Sequence, residues 1–305
     1  MTTPRVVSLL PSASEIVSFV GMESALVGVS HECDYPRSLR ALPALTRYRT
    51  EPARKTSASI DASIREAMLN ALAVYLVDEE RLAELRPEIV VTQDLCQVCA
   101  VSIGDVQAAV ARLADREDVQ IVSLSPTLLT DVFDDIERVA EILGVPENGR
   151  RGRQSLEKRM EALHRRSADA PKLRVATVEW MSPIMLGGTW MPALVDAAGG
   201  QAVGVEAGKG APTVSLEELQ ALTPDVILLK PCGYSLSQSQ DEPELLAQFV
   251  EAFPNARVYL ADGNAYFNRS GPRLVDSAEL LAGCLHPEIF ADFAETYAEG
   301  VIRLS

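Results

Sequence analysis

The chain is short of several things at once, and each shortage removes a class of function. Only 28 of its 305 residues are lysine or arginine, against 43 aspartates and glutamates, for a formal net charge of −15. A polyanion of this kind repels DNA, RNA and anionic lipid, so neither nucleic-acid binding nor a basic membrane-surface role is expected. No apolar run approaches the ~20 residues that span a bilayer, so no membrane insertion is expected. The opening MTTPRVVSLLPS lacks the charged, apolar and small-residue regions of a secretory signal, which makes a cytoplasmic location the expectation. No G-x-G-x-x-G, P-loop, G-x-S-x-G or H-E-x-x-H occurs, so nucleotide-binding and common hydrolase chemistries have no motif behind them. Five cysteines, an odd number in a chain this long, do not read as a disulfide framework.

What the chain does have is a fragment that occurs twice. Residues 78–92 read DEERLAELRPEIVVT and residues 215–229 read SLEELQALTPDVILL. In register, Glu80, Leu82, Leu85 and Pro87 fall on Glu217, Leu219, Leu222 and Pro224. Each copy predicts a short amphipathic helix, a proline that ends it, and an apolar run suited to a buried parallel strand. A weaker echo links EIVSFVGMESALVGV (15–29) to ALVDAAGGQAVGV (193–205). Two related α/β halves predict a two-lobed protein, with a ligand in a cleft between the lobes. The 47% of apolar residues suffices for two cores at the usual ~150 residues per domain.

The alternation of patterns refines this. Strands are predicted at Val6–Leu10, Leu26–Ser30, Ile89–Thr92, Gln120–Ser123, Arg174–Val178, Asp225–Leu229 and Arg257–Leu260. A capping box, Ser12-Ala-Ser-Glu15, opens a predicted helix to Val20. Further helices are predicted at Asp61–Tyr75, Glu79–Leu85, Ile103–Ala114, Asp131–Leu143 and Met191–Ala198, with two closing helices. From Glu147 to Ser167 the chain is charged and helical, with Leu156, Met160 and Leu163 on one face; it reads as a connecting rod. The expected division is an N-terminal α/β lobe over 1–145, a connecting helix over 146–170 and a C-terminal α/β lobe over 171–305. Such alternation predicts parallel sheets covered on both faces.

The motifs SLLPSASEIV, GVS, DYP and L-x-P-[DE] before a strand, with GGTWMPALVDAAGG and DGNAYFNRSGPRLVDSAELL, resemble ABC-transporter substrate-binding proteins of the helical-backbone class. This is the cobalamin and ferric-siderophore type, and the cobalamin-binding branch is the most similar. The resemblance runs over nearly the whole chain. It implies two Rossmann-like lobes joined by one long helix, a corrinoid as ligand, and an ABC permease as partner. It also implies that one glutamate per lobe, Glu80 and Glu217, docks on permease arginines. The plainer reading of both is a surface glutamate favoured by a helix N-terminus.

The loops past the carboxyl ends of the predicted strands are where open α/β sheets bind ligands. They carry His31, Glu32, Cys33 and Tyr35; Gln93, Cys96 and Cys99; Glu179 and Trp180; Cys232 and Tyr234; and Asn264, Tyr266 and Arg273. Where corrinoid receptors offer aromatic rings, this set is mostly polar, acidic and thiol. Aromatics make up only 5% of the chain, so Trp180, Trp190, Tyr234 and Tyr266 stand out as rings that wall a ligand or pack a core. His31, Cys33, Cys96, Cys99 and Cys232 form a candidate metal set, suited to Zn²⁺, Cu(I) or an iron–sulfur cluster. The C-x-x-C pair alternatively reads as redox-active, or as two packed thiols at a turn. Arg273 offers paired donors for a carboxylate or phosphate. The leading expectation is a corrinoid or metal-complex binding protein. The alternative is a cytosolic metal-dependent enzyme on the same scaffold, with Glu32 or Glu179 as acid–base.

Overall fold

The computed structural model describes residues 3–48, 56–69, 75–93 and 119–305. They fall into two compact units. The first takes the described residues up to Arg153, except 56–61 and 127–129, which group with residues 154–305 in the second.

In the first unit, β1 (Val6–Ser8), β2 (Leu26–Val29), β5 (Ile89–Gln93) and β6 (Gln120–Leu124) form a parallel sheet in the order β2-β1-β5-β6. Val6, Val7 and Val90 are fully buried, as near-continuous apolar strands of a parallel sheet should be. A separate antiparallel pair, β3 (Thr46–Tyr48) and β4 (Tyr75–Val77), brings Tyr48 opposite Tyr75. Helix α1 (Pro11–Phe19) begins one residue earlier than the expected capping box. Pro11 takes the first turn, where its missing N–H costs nothing, and extended Leu10 precedes it with no side-chain cap. Ser12 and Glu15 are therefore buried inside the helix, and Ser14 Oγ bonds Ser8 Oγ at 2.9 Å. Helix α2 (Ser57–Leu69) lies earlier than the expected Asp61–Tyr75, because Tyr75 is drawn into β4, where an aromatic and β-branched stretch pairs well. Helices α3 (Glu79–Leu85) and α4 (Leu129–Ile142) lie within two residues of expectation. The predicted helix over 103–114 lies outside the described residues.

Helix α5 (Pro146–Ser167, 22 residues) carries the chain from the first unit into the second, burying Leu156 and Leu163. In the second unit, β7 (Leu173–Met181), β11 (Val226–Leu229) and β12 (Arg257–Ala261) form a parallel centre. The first half of β7 pairs in parallel with β9 (Gly200–Ala202). Its second half pairs antiparallel with β8 (Ile184–Leu186), which in turn pairs with β10 (Thr213–Val214). At the other edge β13 (Val301–Arg303) runs antiparallel to β12. Helices α6 (Met191–Ala197), α7 (Leu216–Ala221), α8 (Leu236–Gln240), α9 (Pro243–Ala252), α10 (Leu274–Leu285) and α11 (Ala291–Thr296) complete it. Arg159 of α5 binds Asp276 and Glu279 of α10, and the Tyr297 hydroxyl donates to Glu279, so the rod is tied to this unit by a satisfied ionic cluster.

The internal repeat survives in single hydrogen bonds. Leu82 and Leu219 are both fully buried, and each helix ends in a left-handed non-glycine residue before the proline, Arg86 (φ 44°) and Thr223 (φ 43°). Arg5 Nε donates to the Leu85 carbonyl at 2.8 Å, and Arg174 Nη2 to the matching Leu222 carbonyl at 2.7 Å. Glu88 N–H reaches the Arg5 carbonyl and Asp225 N–H reaches that of Arg174, both at 2.8 Å.

Candidate functional site

In the second unit, chemistry collects where β7 outruns its neighbour. Strand β11 ends at Leu229, paired with Val178, but β7 continues through Glu179, Trp180 and Met181. Those residues were expected in a loop; the antiparallel partner β8 keeps them in the sheet. The register with β8 shifts between Val178 and Trp180. The core side of β7 accordingly reads Ala176, Val178, Met181, one residue longer than strict alternation. A bulge of this kind re-aims side chains at a sheet end.

On the other side lies Lys230, only 1% exposed although it bears a charge. Its Nζ donates to Asn268 Oδ1 at 2.6 Å and to Glu179 Oε2 at 3.3 Å. Asn268 is held by its own amide, which donates to the carbonyls of Lys230 (2.9 Å) and Gly263 (2.8 Å). A buried ammonium without a partner is costly, so Glu179 and Asn268 make this lysine tolerable. Next to Glu179, the Trp180 ring meets Tyr234 edge to face at 5.4 Å, and the buried Trp180 indole N–H has no hydrogen-bond partner among the described residues. Tyr234 is itself buried. Loss of solvent, then the Glu242 carboxylate nearby, pushes its phenol up to about 12. Glu242 in turn accepts from the Ser57 hydroxyl (2.6 Å) and the Ser57 N–H (3.0 Å), capping the start of α2. Cys232 is half-buried, its N–H on the Glu179 carbonyl at 3.0 Å.

In the first unit, the loop after β2 meets the β3–β4 pair. The His31 ring stands edge-on to Tyr48 (5.0 Å) and Tyr75 (5.1 Å), and those two rings lie 5.0 Å apart. His31 Nδ1 bonds Thr46 Oγ1 at 2.7 Å, which fixes the ring. Nε2 lies 3.2 Å from Glu32 Oε1 without the alignment of a hydrogen bond, and the Tyr48 hydroxyl donates to that same oxygen at 2.8 Å. Cys33 is buried, its Sγ 3.1 Å from Ser14 Oγ. Tyr35, before a cis proline, is exposed.

The other candidates scatter. Trp190 is buried and its indole N–H donates to the Phe267 carbonyl at 2.8 Å. Gln93 ends β5, half-buried. Asn264 accepts from the buried Arg269 at 2.6 Å, and Tyr266 packs edge-on to Tyr297. Arg273 stands at the start of α10. Glu80 and Glu217 are exposed in the first turns of α3 and α7, equivalent places in the two units. Cys96 and Cys99 lie outside the described residues. Among the described residues, no three His, Cys, Asp or Glu side chains are grouped to hold a metal. Sequence reasoning missed Lys230, Asn268, Tyr48, Tyr75 and Thr46. Lys230 had a signal, a lysine directly after the wholly apolar Val226–Leu229; the others are ordinary residues until folding gathers them.

A further polar hollow lies beside α4, lined by Ser123, Ser125, Asp131, Asp135 and Arg138. Burial raises the Asp135 carboxyl to about 6, against the pull of Arg138 at 2.7 Å.

Comparison with known proteins gives this arrangement a lineage. Over 281 residues the chain is 25% identical to the vitamin B12-binding protein of Photorhabdus laumondii, covering 91% of this chain and 86% of that one. It is 22% identical over 277 residues to that of Vibrio vulnificus, covering 90% and 87%. Among solved structures, the periplasmic vitamin B12-binding protein of Vibrio cholerae superimposes with a TM-score of 0.66 at 21% identity, covering 93% and 97%. A periplasmic heme-binding protein of Pseudomonas aeruginosa gives 0.70 at 19%, covering 93% of each. At such identities the structural likeness carries the fold alone. A family model described as periplasmic binding protein matches residues 6–265, which takes in the parallel strands of both units, the bulged strand and the Lys230–Glu179 pair, and the chain belongs to that family.

Proposed function

We infer that this protein binds a corrinoid-class macrocycle and presents it to an ABC permease. The observation that carries the reading is the half-buried Trp180 ring at the bulged end of β7, braced edge to face by the buried Tyr234. A part-exposed indole held by a buried ring suits the greasy face of a macrocycle. The names of the relatives point to the same ligand class. The family's role as the binding component of ABC transporters supports the permease, with Glu80 and Glu217 as its docking points.

Titration calorimetry with cyanocobalamin tests the ligand, with hemin and a ferric siderophore as alternatives. Cyanocobalamin is expected to bind, and Trp180→Ala to weaken it by about tenfold or more, the scale of one aromatic contact. Tight binding of hemin or the siderophore alone would replace the corrinoid with that ligand, and binding of none would sink the reading. For docking, Glu80→Ala/Glu217→Ala should lose capture by the permease; unchanged capture removes both glutamates from that role.

A further inference from the structure

The buried Lys230 and the Glu179 it holds differ sharply in exposure, and that difference is informative. Lys230 is 1% exposed, so a ligand cannot reach it, whereas the Glu179 side chain is 27% exposed. Lys230 engages Oε2, and Oε1 makes no hydrogen bond among the described residues. Asn268 cannot relieve Lys230 of Glu179 by turning, because both its amide protons are committed to backbone carbonyls. Glu179 immediately precedes Trp180 in β7, where the register with β8 shifts.

We propose that Glu179 is a specificity-determining acceptor that selects macrocycles with amide or hydroxyl donors on the rim against those with carboxylates, with Lys230 as its positioning residue. A carboxylate oxygen accepts from an amide N–H and forms a strong charge-assisted bond. A ligand carboxylate at the same place meets like charge, which specificity by repulsion exploits. The pair Lys230–Glu179 is neutral as a whole, but only its negative member has exposure, so the discrimination is local.

The inference rests on the corrinoid reading, and the probes separate the two. Cyanocobalamin carries propionamide arms on its rim; mild hydrolysis converts single arms to carboxylic acids on an otherwise identical corrin. Wild-type protein is expected to bind at least one of the resulting monocarboxylic acids about tenfold more weakly than cyanocobalamin, the size of one lost charge-assisted bond. Glu179→Gln leaves a buried ammonium without its anion, so the informative variant is Glu179→Gln/Lys230→Gln, which removes both charges together. In that variant the gap should close to within about twofold while cyanocobalamin still binds. Equal affinity of the wild type for amide and every acid, or a gap unchanged in the double variant, overturns the role of Glu179 and leaves the corrinoid reading standing. Failure of the wild type to bind cyanocobalamin at all overturns that reading and this inference with it.

Discussion

Set side by side, the two units share a frame and differ at its rim. The β2-β1-β5-β6 order of the first is repeated as β9-β7-β11-β12 in the second, with an arginine at the start of the first strand of each (Arg5 just before β1, Arg174 in β7) closing the helix before the third. Past the carboxyl ends the correspondence stops. The first unit places His31 among Tyr48 and Tyr75, rings supplied by an extra antiparallel pair. The second extends its own strand, bulges it, and sets Glu179 on a buried lysine with Trp180 against Tyr234. Divergence is thus confined to places that no frame hydrogen bond constrains. Substitutions in matching positions should then act alike in both units, and substitutions at the rims should not.

The largest effect tests the frame. Leu82 and Leu219 occupy the same place in α3 and α7, and both are fully buried. Leu82→Ala and Leu219→Ala should each cost about 3 kcal/mol, the usual sum of lost transfer energy and residual cavity. Urea unfolding followed by circular dichroism measures both. Costs that differ by more than about 2 kcal/mol would show that one site collapses around the cavity and the other does not, breaking the equivalence where it should be strongest.

Next comes a rim feature with no counterpart. The offset that takes Glu80 to Glu217 takes Asp135 to Pro272, so this carboxyl has no counterpart at the matching position of the second unit. Folded Asp135 holds its proton to about pH 6 against an ordinary 3.8. Between those values folding takes up a proton, so its contribution is greatest below the window and is lost as pH rises through it. Relative to Asp135→Asn, the wild type should lose on the order of 2 kcal/mol from pH 4 to pH 7. Parallel stability curves for the two proteins across that range would contradict the assignment.

This division also explains what the sequence disclosed. The frame was legible because α3 and α7 are punctuated by Pro87 and Pro224 and filled by Leu82 and Leu219, local signals that needed no partner to be read. The long charged α5 was legible for the same reason. Strands β8, β9, β10 and β13 have only two or three residues, too few to show a period. Glu179 and Trp180 were found as candidates, yet were placed in a loop, since the partner that keeps them in strand is one of those short elements. The capping box at Ser12 misled because Pro11 started the helix first. Trp190 read equally as a ligand wall or as core, because nothing in its neighbourhood of sequence shows the Phe267 carbonyl, which lies 77 residues on.

A smaller effect probes the hydrogen bonds that close α3 and α7. Arg5 gives the Leu85 carbonyl one bond, while Arg174 gives Leu222 its Nη2 and shares its Nε between the Leu222 and Thr223 carbonyls. Arg5→Ala should cost about 1 kcal/mol, a typical net hydrogen bond, and Arg174→Ala more. The reverse order would mean that the two arginines are held by different contacts, not by one repeated device.

The smallest effect lies at the other end of the same helices. Asp78 accepts a single bond, from the Arg81 N–H at 3.0 Å, whereas Ser215 and Glu218 form a reciprocal box with two. Both helices also carry acidic residues in the first turn, including Glu80 and Glu217, which the helix dipole favours. Ser215→Ala removes the hydroxyl that accepts from the Glu218 N–H and leaves the backbone N–H that Glu218 accepts from, at about 1 kcal/mol. Asp78→Ala loses one bond and one favourable charge, and should fall near the same figure at low salt. Salt separates them: screening weakens the charge contribution of Asp78 but leaves a hydroxyl cap untouched. In 0.5 M sodium chloride the Asp78→Ala cost should shrink while the Ser215→Ala cost holds, and a Ser215→Ala cost that shrank in step would show that Glu218, not the serine, closes that helix.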